Sequence, residues 1–259
     1  MENIIELKDL TYHHKNKLIF DNLELEINKG VFTTILDIND SNTSLLLKII
    51  LGYIKTDASI KIDKKDINNY DKNIISYIPN NVKDSIIMDT VIDEIMLNND
   101  KVDNKELDKL LEELGLLNKI LENPKNLSGG EQQLMYIASC LIKHPKLIIC
   151  DNSFSMLDNF IKDKLLKKLK KLSKEKNISI INITNDTEDI LYGDNLVIIS
   201  NNKIILNDKK EVIYNNEKLF KSLNIKMPFM VELSLKLKYY NLLNNTEIDM
   251  NRMINKLWK

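Results

Sequence analysis

Residues 127–151 constrain the fold more than any other stretch of this chain. They read Leu127-Ser128-Gly129-Gly130-Glu131-Gln132-Gln133, a helical pattern to Ile142, then the apolar run Leu147-Ile148-Ile149-Cys150 ending in Asp151. Ser128 followed three residues later by Glu131 is a capping box, so a helix starts here. The box accounts for Ser128 and Glu131. It does not account for the two glycines between them, which are poor helix residues. The chain holds six glycines in 259 residues, and two stand here side by side. Paired glycines at a helix start let a group approach the backbone closely, and bare N–H groups there bind anions such as phosphate.

The flanking patterns extend this unit. Ile4 to Tyr12 and Leu18 to Ile27 alternate apolar and polar residues, as half-buried strands do, and Asn28-Lys29-Gly30 is a turn signal. Val31 to Leu36 predicts a strand, Asp37 to Thr43 a tight loop, and Ser44 to Leu51 a buried helix. Ser59 to Ile62 and Ile74 to Ile78 predict short strands. Thr90 to Leu121 carries the helical period through Val91, Ile92, Ile95 and Met96 and on through Leu107, Leu110, Leu111 and Leu114. Beyond Asp151, Phe160 to Leu172 predicts a Lys-rich amphipathic helix whose charges form a solvated face. Ile178 to Ile183 and Asn195 to Ile199 predict strands, the latter turning through Asn201-Asn202-Lys203 into Ile204-Ile205. From about Asn215 the chain reads as helical. Strands alternating with helices point to a parallel sheet with crossover helices.

Composition narrows the function classes. The 37 basic and 38 acidic residues argue against a nucleic-acid partner found by bulk charge. Cys140 and Cys150 are too few for a disulfide framework, which suits a reducing compartment. The longest apolar stretch, Leu45 to Ile54, contains Lys48 and is short of a bilayer span, and Met1-Glu2-Asn3 lacks a signal-peptide start. A cytoplasmic chain is the expectation. His13, His14 and His144 show no metal-ligand spacing with the cysteines. Asn, Lys and Ile abound, while Arg occurs only at Arg252 and Ala only at Ala58 and Ala138. Asn and Lys then read as default fillers from an AT-rich coding sequence, and each glycine as one kept against that trend.

LSGGEQQ, the strand ending in Asp151, and Ser155-Met156-Leu157-Asp158 together resemble the ATP-binding cassette (ABC) family. There the signature loop, the Walker B aspartate and the D-loop follow in this order at about this spacing. The resemblance covers nearly the whole chain. Leu10-Thr11-Tyr12 with His13-His14 sits at the family's adenine-stacking aromatic, which implies Tyr12 or His14 in that role. Ile75 to Asn80 sits at the Q-loop, and Ile178 to Asp186 at the strand that ends in the switch histidine. Pro228-Phe229 and Glu232-Leu233 resemble the tail of the energy-coupling-factor subgroup, which drives micronutrient and cation importers. The resemblance implies an α/β fold. Its core would be a P-loop-NTPase-like parallel sheet with an N-terminal antiparallel β-subdomain and a helical subdomain inserted at about 89–143. Residues 1–214 would form the ATPase domain and residues 215–259 a helical extension for dimerisation. ATP and Mg2+ are the implied cofactors. The implied partners are a second ABC ATPase subunit and a transmembrane coupling subunit, with the chain peripheral on the inner face of the cell membrane.

The departures from the family pattern are concentrated. The phosphate loop should read G-x-x-x-x-G-K-[ST] after a strand. Here it reads Asp37-Ile38-Asn39-Asp40-Ser41-Asn42-Thr43-Ser44. Asp37 and Asn42 stand for the glycines and Thr43 for the lysine, while Ser44 keeps the magnesium hydroxyl and Asp151 the second magnesium position. Asp37 and Asp40 would repel a polyphosphate, and the missing ammonium removes charge-assisted hydrogen bonds worth about 1.5–3 kcal/mol each. The turn itself can survive, because Asn and Asp tolerate left-handed backbone. Asn80 stands for the Q-loop glutamine. Asn152 stands for the catalytic glutamate, and an amide cannot take a proton from water. Asn185 stands for the switch histidine and has no nitrogen that titrates near neutral pH. Any one of these could be drift; four losses in one constellation are harder to dismiss. No catalytic residue is expected in cis. Ser128, Gly129, Gly130, Glu131, Gln132 and Asp158 are retained, and in the family these serve the partner's nucleotide across a head-to-tail dimer. The expectation is the catalytically degenerate half of a heterodimer. The alternatives are a non-hydrolysing structural or regulatory cassette and, third, an active ATPase with an unorthodox loop.

Overall fold

In the computed structural model the described residues are 2–39, 41–97, 102–214 and 216–258. The strands are β1 (Asn3–His14), β2 (Lys17–Asn28), β3 (Phe32–Ile38), β4 (Ser59–Ile62), β5 (Lys65–Asp66), β6 (Ile75–Ile78), β7 (Leu147–Asp151), β8 (Ser179–Thr184), β9 (Asn195–Ser200) and β10 (Lys203–Lys209). The α-helices are α1 (Thr43–Ile50), α2 (Val91–Met96), α3 (Asn104–Leu114), α4 (Gly129–Leu141), α5 (Asn159–Lys176), α6 (Lys210–Tyr214), α7 (Glu217–Ser222), α8 (Phe229–Tyr239) and α9 (Met250–Leu257). They fall into two compact units. One comprises Met1–Glu6, Glu26–Gly30 and Ile60–Asn182, the other Leu7–Leu25, Val31–Ser59 and Ile183–Lys259.

In the first unit β8, β7 and β6 lie side by side. β6 and β7 are parallel, with Ile75 opposite Leu147 and Ile78 opposite Cys150. Every residue of β7 and β8 is buried, which is why 147–151 is a continuous apolar run instead of an alternating one. Helix α4 packs on β6, and α2 and α3 pack on α4. The helical period over Thr90 to Leu121 is realised as two helices: α2 ends at Met96, and α3 starts at its cap Asp103. Gly115, at φ 72, stops α3 as a left-handed C-cap. Helix α4 begins at Gly129, so both glycines lie inside its first turn. β4 and the two-residue β5 form an antiparallel pair through Asp63-Lys64, both at positive φ, a strand too short for periodicity to reveal.

In the second unit β10, β9 and β3 are neighbours. β3 runs parallel to β9 and β10 antiparallel to it, with a bulge between Ile204 and Leu206. Strands β1 and β2 join through Lys15-Asn16, both left-handed, the backbone of a type I′ two-residue turn. Leu36, Leu196 and Ile198 share one core with Tyr214, Phe220, Met227 and Val231. The C-terminal helices therefore pack on the central strands, and the helical segment starts at Lys210, ahead of Asn215. Among the described residues, no helix is long and apolar enough to cross a membrane.

Asparagine proves to be more than filler. Of fifteen non-glycine residues with positive φ among those described, ten are asparagine. Its short polar side chain supports the left-handed conformation locally, and here it fills turns that other chains give to glycine.

Candidate functional site

In the first unit the candidate residues meet at the C-terminal ends of β6 and β7, the end at which parallel sheets receive ligands. Asp151 closes β7 and is 5% exposed. The Tyr77 hydroxyl donates to Asp151 Oδ2 at 2.9 Å. The Ser153 hydroxyl donates to the Ile78 carbonyl at 2.5 Å, and Gln133 Nε2 to the Pro79 carbonyl at 2.9 Å. The Ser155 hydroxyl donates to Asn80 Oδ1 at 2.8 Å, so the Q-loop and D-loop positions are tied directly. Asn152 holds a left-handed φ of 50°, which gives an asparagine at this position a conformational reason. Sequence reasoning missed Tyr77. Its parallel register partner is Ile149, two residues before Asp151, and that register was the available signal.

The signature forms both halves of its capping box. The Glu131 N–H donates to Ser128 Oγ at 3.3 Å. The Ser128 N–H and hydroxyl both donate to Glu131 Oε2, at 2.9 and 2.8 Å. Lys119 Nζ donates to the other oxygen, Oε1, at 2.6 Å. Lys119 first, and the two Ser128 donors after it, hold the Glu131 carboxyl at about 2 against an ordinary 4.5. The first-turn N–H groups of Gly129 and Gly130 have no acceptor within the helix. A Cβ built on Gly129 would meet Met156 Sδ at 3.7 Å, and one on Gly130 would meet Leu157 Cδ2 at 3.6 Å and the Met156 carbonyl at 3.7 Å. Those are ordinary contacts, so packing within the chain does not require either glycine. Gln132 turns inward, 6% exposed, and donates to the Pro124 carbonyl at 3.1 Å. Asp158 caps α5 by accepting the Phe160 and Ile161 N–H groups.

In the second unit the loop after β3 closes on its own carboxylate. Asp37 accepts the Ser41 N–H at 2.8 Å and the Thr43 hydroxyl at 2.5 Å. The Ser41 hydroxyl donates to the Ile38 carbonyl and, at 3.3 Å, to that of Ile199. Asn39 and Asn42 take left-handed φ of 61° and 55°, as the sequence allowed. Asn42 precedes α1, and its Nδ2 donates to Asn202 Oδ1 at 2.9 Å. Thr43 is buried and Ser44 exposed, while Asp40 lies outside the described residues. Asp37 is thus the loop's own acceptor, where the sequence suggested only a repelling charge. An amide N–H and a hydroxyl of this loop are held by a fixed anion, and position 43 offers no ammonium, so these residues do not fit a polyphosphate. Asn185 is exposed just after β8; on β1, Tyr12 is half-buried and His14 exposed.

A family model described as ABC transporter matches residues 20–155. The chain is 32% identical over 249 residues to the energy-coupling factor transporter ATP-binding protein EcfA1 of Mycoplasmopsis pulmonis, covering 91% of this chain and 94% of that one. It is 28% identical to the protein of the same name from Lactobacillus acidophilus, covering 91% and 89%. Among solved structures, cbiO1 from Clostridium perfringens, part of the ABC transporter complex cbiONQ, matches with a TM-score of 0.72 at 22% identity, over 90% of this chain and 99% of that one. The ATP-binding cassette MJ0796, in a dimeric post-hydrolysis state bound to ADP and Pi, matches with a TM-score of 0.68 at 24% identity, over 80% and 98%. The matched span 20–155 exceeds half of the 259 residues and takes in the loop after β3, the signature and Asp151. On this span and these relatives, the chain belongs to the ABC transporter family, whose cassettes use ATP with Mg2+.

Proposed function

We propose that the chain is an ATP-binding subunit of an energy-coupling-factor-type importer of a micronutrient or cation, and works as the catalytically degenerate half of a heterodimer. One contrast carries the reading. The loop that should hold the chain's own phosphates is filled by Asp37, whereas the end of α4 keeps two glycines that nothing inside the chain requires. Ser128, Gly129 and Gly130 then serve a nucleotide whose phosphate loop, general base and histidine belong to the partner cassette. The α4 N-terminus directs its dipole and free N–H groups at the terminal phosphate held there. The names of the matched relatives support the transporter assignment.

Two further surfaces suit such an assembly. Ile87 and Leu121 are 67% and 78% exposed in the helical region, a place to meet the transmembrane coupling subunit. Buried Glu94 accepts the Ile87 and Met88 N–H groups at 3.0 and 2.8 Å and so fixes that loop. Tyr239, Leu242 and Trp258 leave apolar surface exposed on the extension, residues 215–259, for contact with the partner's own. With residues 1–214 as the ATPase domain, the chain sits on the inner face of the membrane through these contacts.

The filled loop equally favours the second reading, a non-hydrolysing structural cassette; the signature glycines separate the two. The test is ATP hydrolysis by the chain co-assembled with a candidate partner cassette from the same genome. Ser128→Arg is expected to abolish turnover and Asn152→Ala to leave it nearly unchanged. Normal turnover with Ser128→Arg sinks the heterodimer reading, and turnover by this chain alone shows a competent site of its own.

A further inference from the structure

Glu131 brings a full negative charge to the first turn of α4, next to the N–H groups of Gly129 and Gly130. A phosphoanion arriving at that end gains from a helix terminus worth about half a charge and is repelled by a whole carboxylate. Lys119 faces that carboxylate. It ends the 3-10 turn Leu117–Lys119, shortly after the stop at Gly115, and its ammonium lies 2.6 Å from Glu131 Oε1 while Ser128 occupies Oε2. The two side chains are 33% and 31% exposed, and an ion pair so open to solvent adds little to stability. Its place beside the signature gives it another use.

We propose that Lys119 is a positioning residue for the signature: it neutralises Glu131 and keeps it on Ser128, so that the end of α4 can receive a polyphosphate held by the partner cassette. The inference rests on the heterodimer reading. Removing the ammonium leaves Glu131 charged and freer to turn toward the incoming phosphate. The penalty falls on nucleotide engagement more than on the chemical step.

The test uses the co-assembled pair and hydrolysis rates across Mg·ATP concentration. Lys119→Met is expected to raise KM about three- to tenfold, the size of one charge about 4 Å away under water-like screening, with kcat within about twofold. Lys119→Arg keeps the charge and is expected to restore KM. Lys119→Met combined with Glu131→Gln is expected to raise KM less than Lys119→Met alone, because the repelling charge is gone, and Lys119→Met is expected to leave the urea midpoint nearly unchanged, which a merely structural role would not. In the isolated chain, NMR titration of the Glu131 carboxyl is expected to move upward with Lys119→Met. A wild-type pair that turns over while Lys119→Met keeps its KM, or a double variant no better than the single one, overturns the inference alone. A wild-type pair without turnover overturns the heterodimer reading and this inference with it.

Discussion

Replacing Gly129 and Gly130 together by alanine should stabilise the chain and silence the assembly. Neither glycine has positive φ, and both sit in the first turn of α4. The nearest atoms to the added methyls would be Met156 Sδ, Leu157 Cδ2 and the Met156 carbonyl, at 3.6–3.7 Å, so no repacking is needed. Glycine in a helix interior costs about 0.8–1 kcal/mol relative to alanine. The first turn feels only part of that, so the two changes together should add about 1 kcal/mol. For a chain of this size that is roughly 2–4 °C in Tm. Urea unfolding at constant m-value measures the gain. On the heterodimer reading, hydrolysis by the co-assembled pair should fall below detection, because a methyl on either residue would fill the space through which the partner's phosphates would approach. Two results refute the reasoning. A double variant less stable than wild type means that the fold itself needs these glycines. A double variant that still supports turnover means that nothing approaches α4 within a methyl's reach.

Two further outcomes follow from the loops. One millimolar Mg·ATP should shift the Tm of the isolated chain by less than about 1 °C, whereas a site saturated a hundredfold over its Kd would add about 2.7 kcal/mol; a rise of several degrees in a thermal melt contradicts the Asp37-filled loop. Glu131 is held near 2 in the fold against 4.5 free, so its contribution is fully present above about pH 5 and is lost as pH falls toward 2. After discounting for its exposure, Glu131→Gln should cost about 1–2 kcal/mol at pH 7 and less near pH 3; urea midpoints whose difference widens on acidification contradict this.

Much of the fold was legible because burial writes itself into periodicity. The run 147–150 announced a doubly covered strand, and Ser128 with Glu131 announced the start of α4. What stayed hidden depends on where side-chain tips go, which spacing does not encode. Asp37 could be read as a charge but not as the acceptor for Ser41 and Thr43. Lys119 reaches Glu131 from twelve residues away across an irregular segment, so no helical offset joins them. Tyr77 finds Asp151 only through the parallel register of β6 and β7. Asparagine misled for a different reason: its abundance looked compositional, while its conformation is set residue by residue in the turns.

Glycine serves proteins for two unrelated reasons, backbone conformation and absence of volume, and this chain sorts them. Gly30, Gly52 and Gly115 adopt positive φ, a need that asparagine meets at ten other described positions, although Gly30 also leaves room for Asn177, whose Oδ1 would lie 1.9 Å from an added Cβ. Gly193 has no positive φ, and a Cβ there would lie 2.6 Å from Thr34 Oγ1, so what it supplies is empty space. Asparagine can replace the first kind, and no coded residue can replace the second. A lineage drifting away from glycine codons would therefore lose its hinge glycines early and its spacer glycines last. By that logic the pair at 129–130, which crowds nothing inside its own chain, is what the proposed heterodimer would leave behind: room kept for a surface that belongs to another molecule.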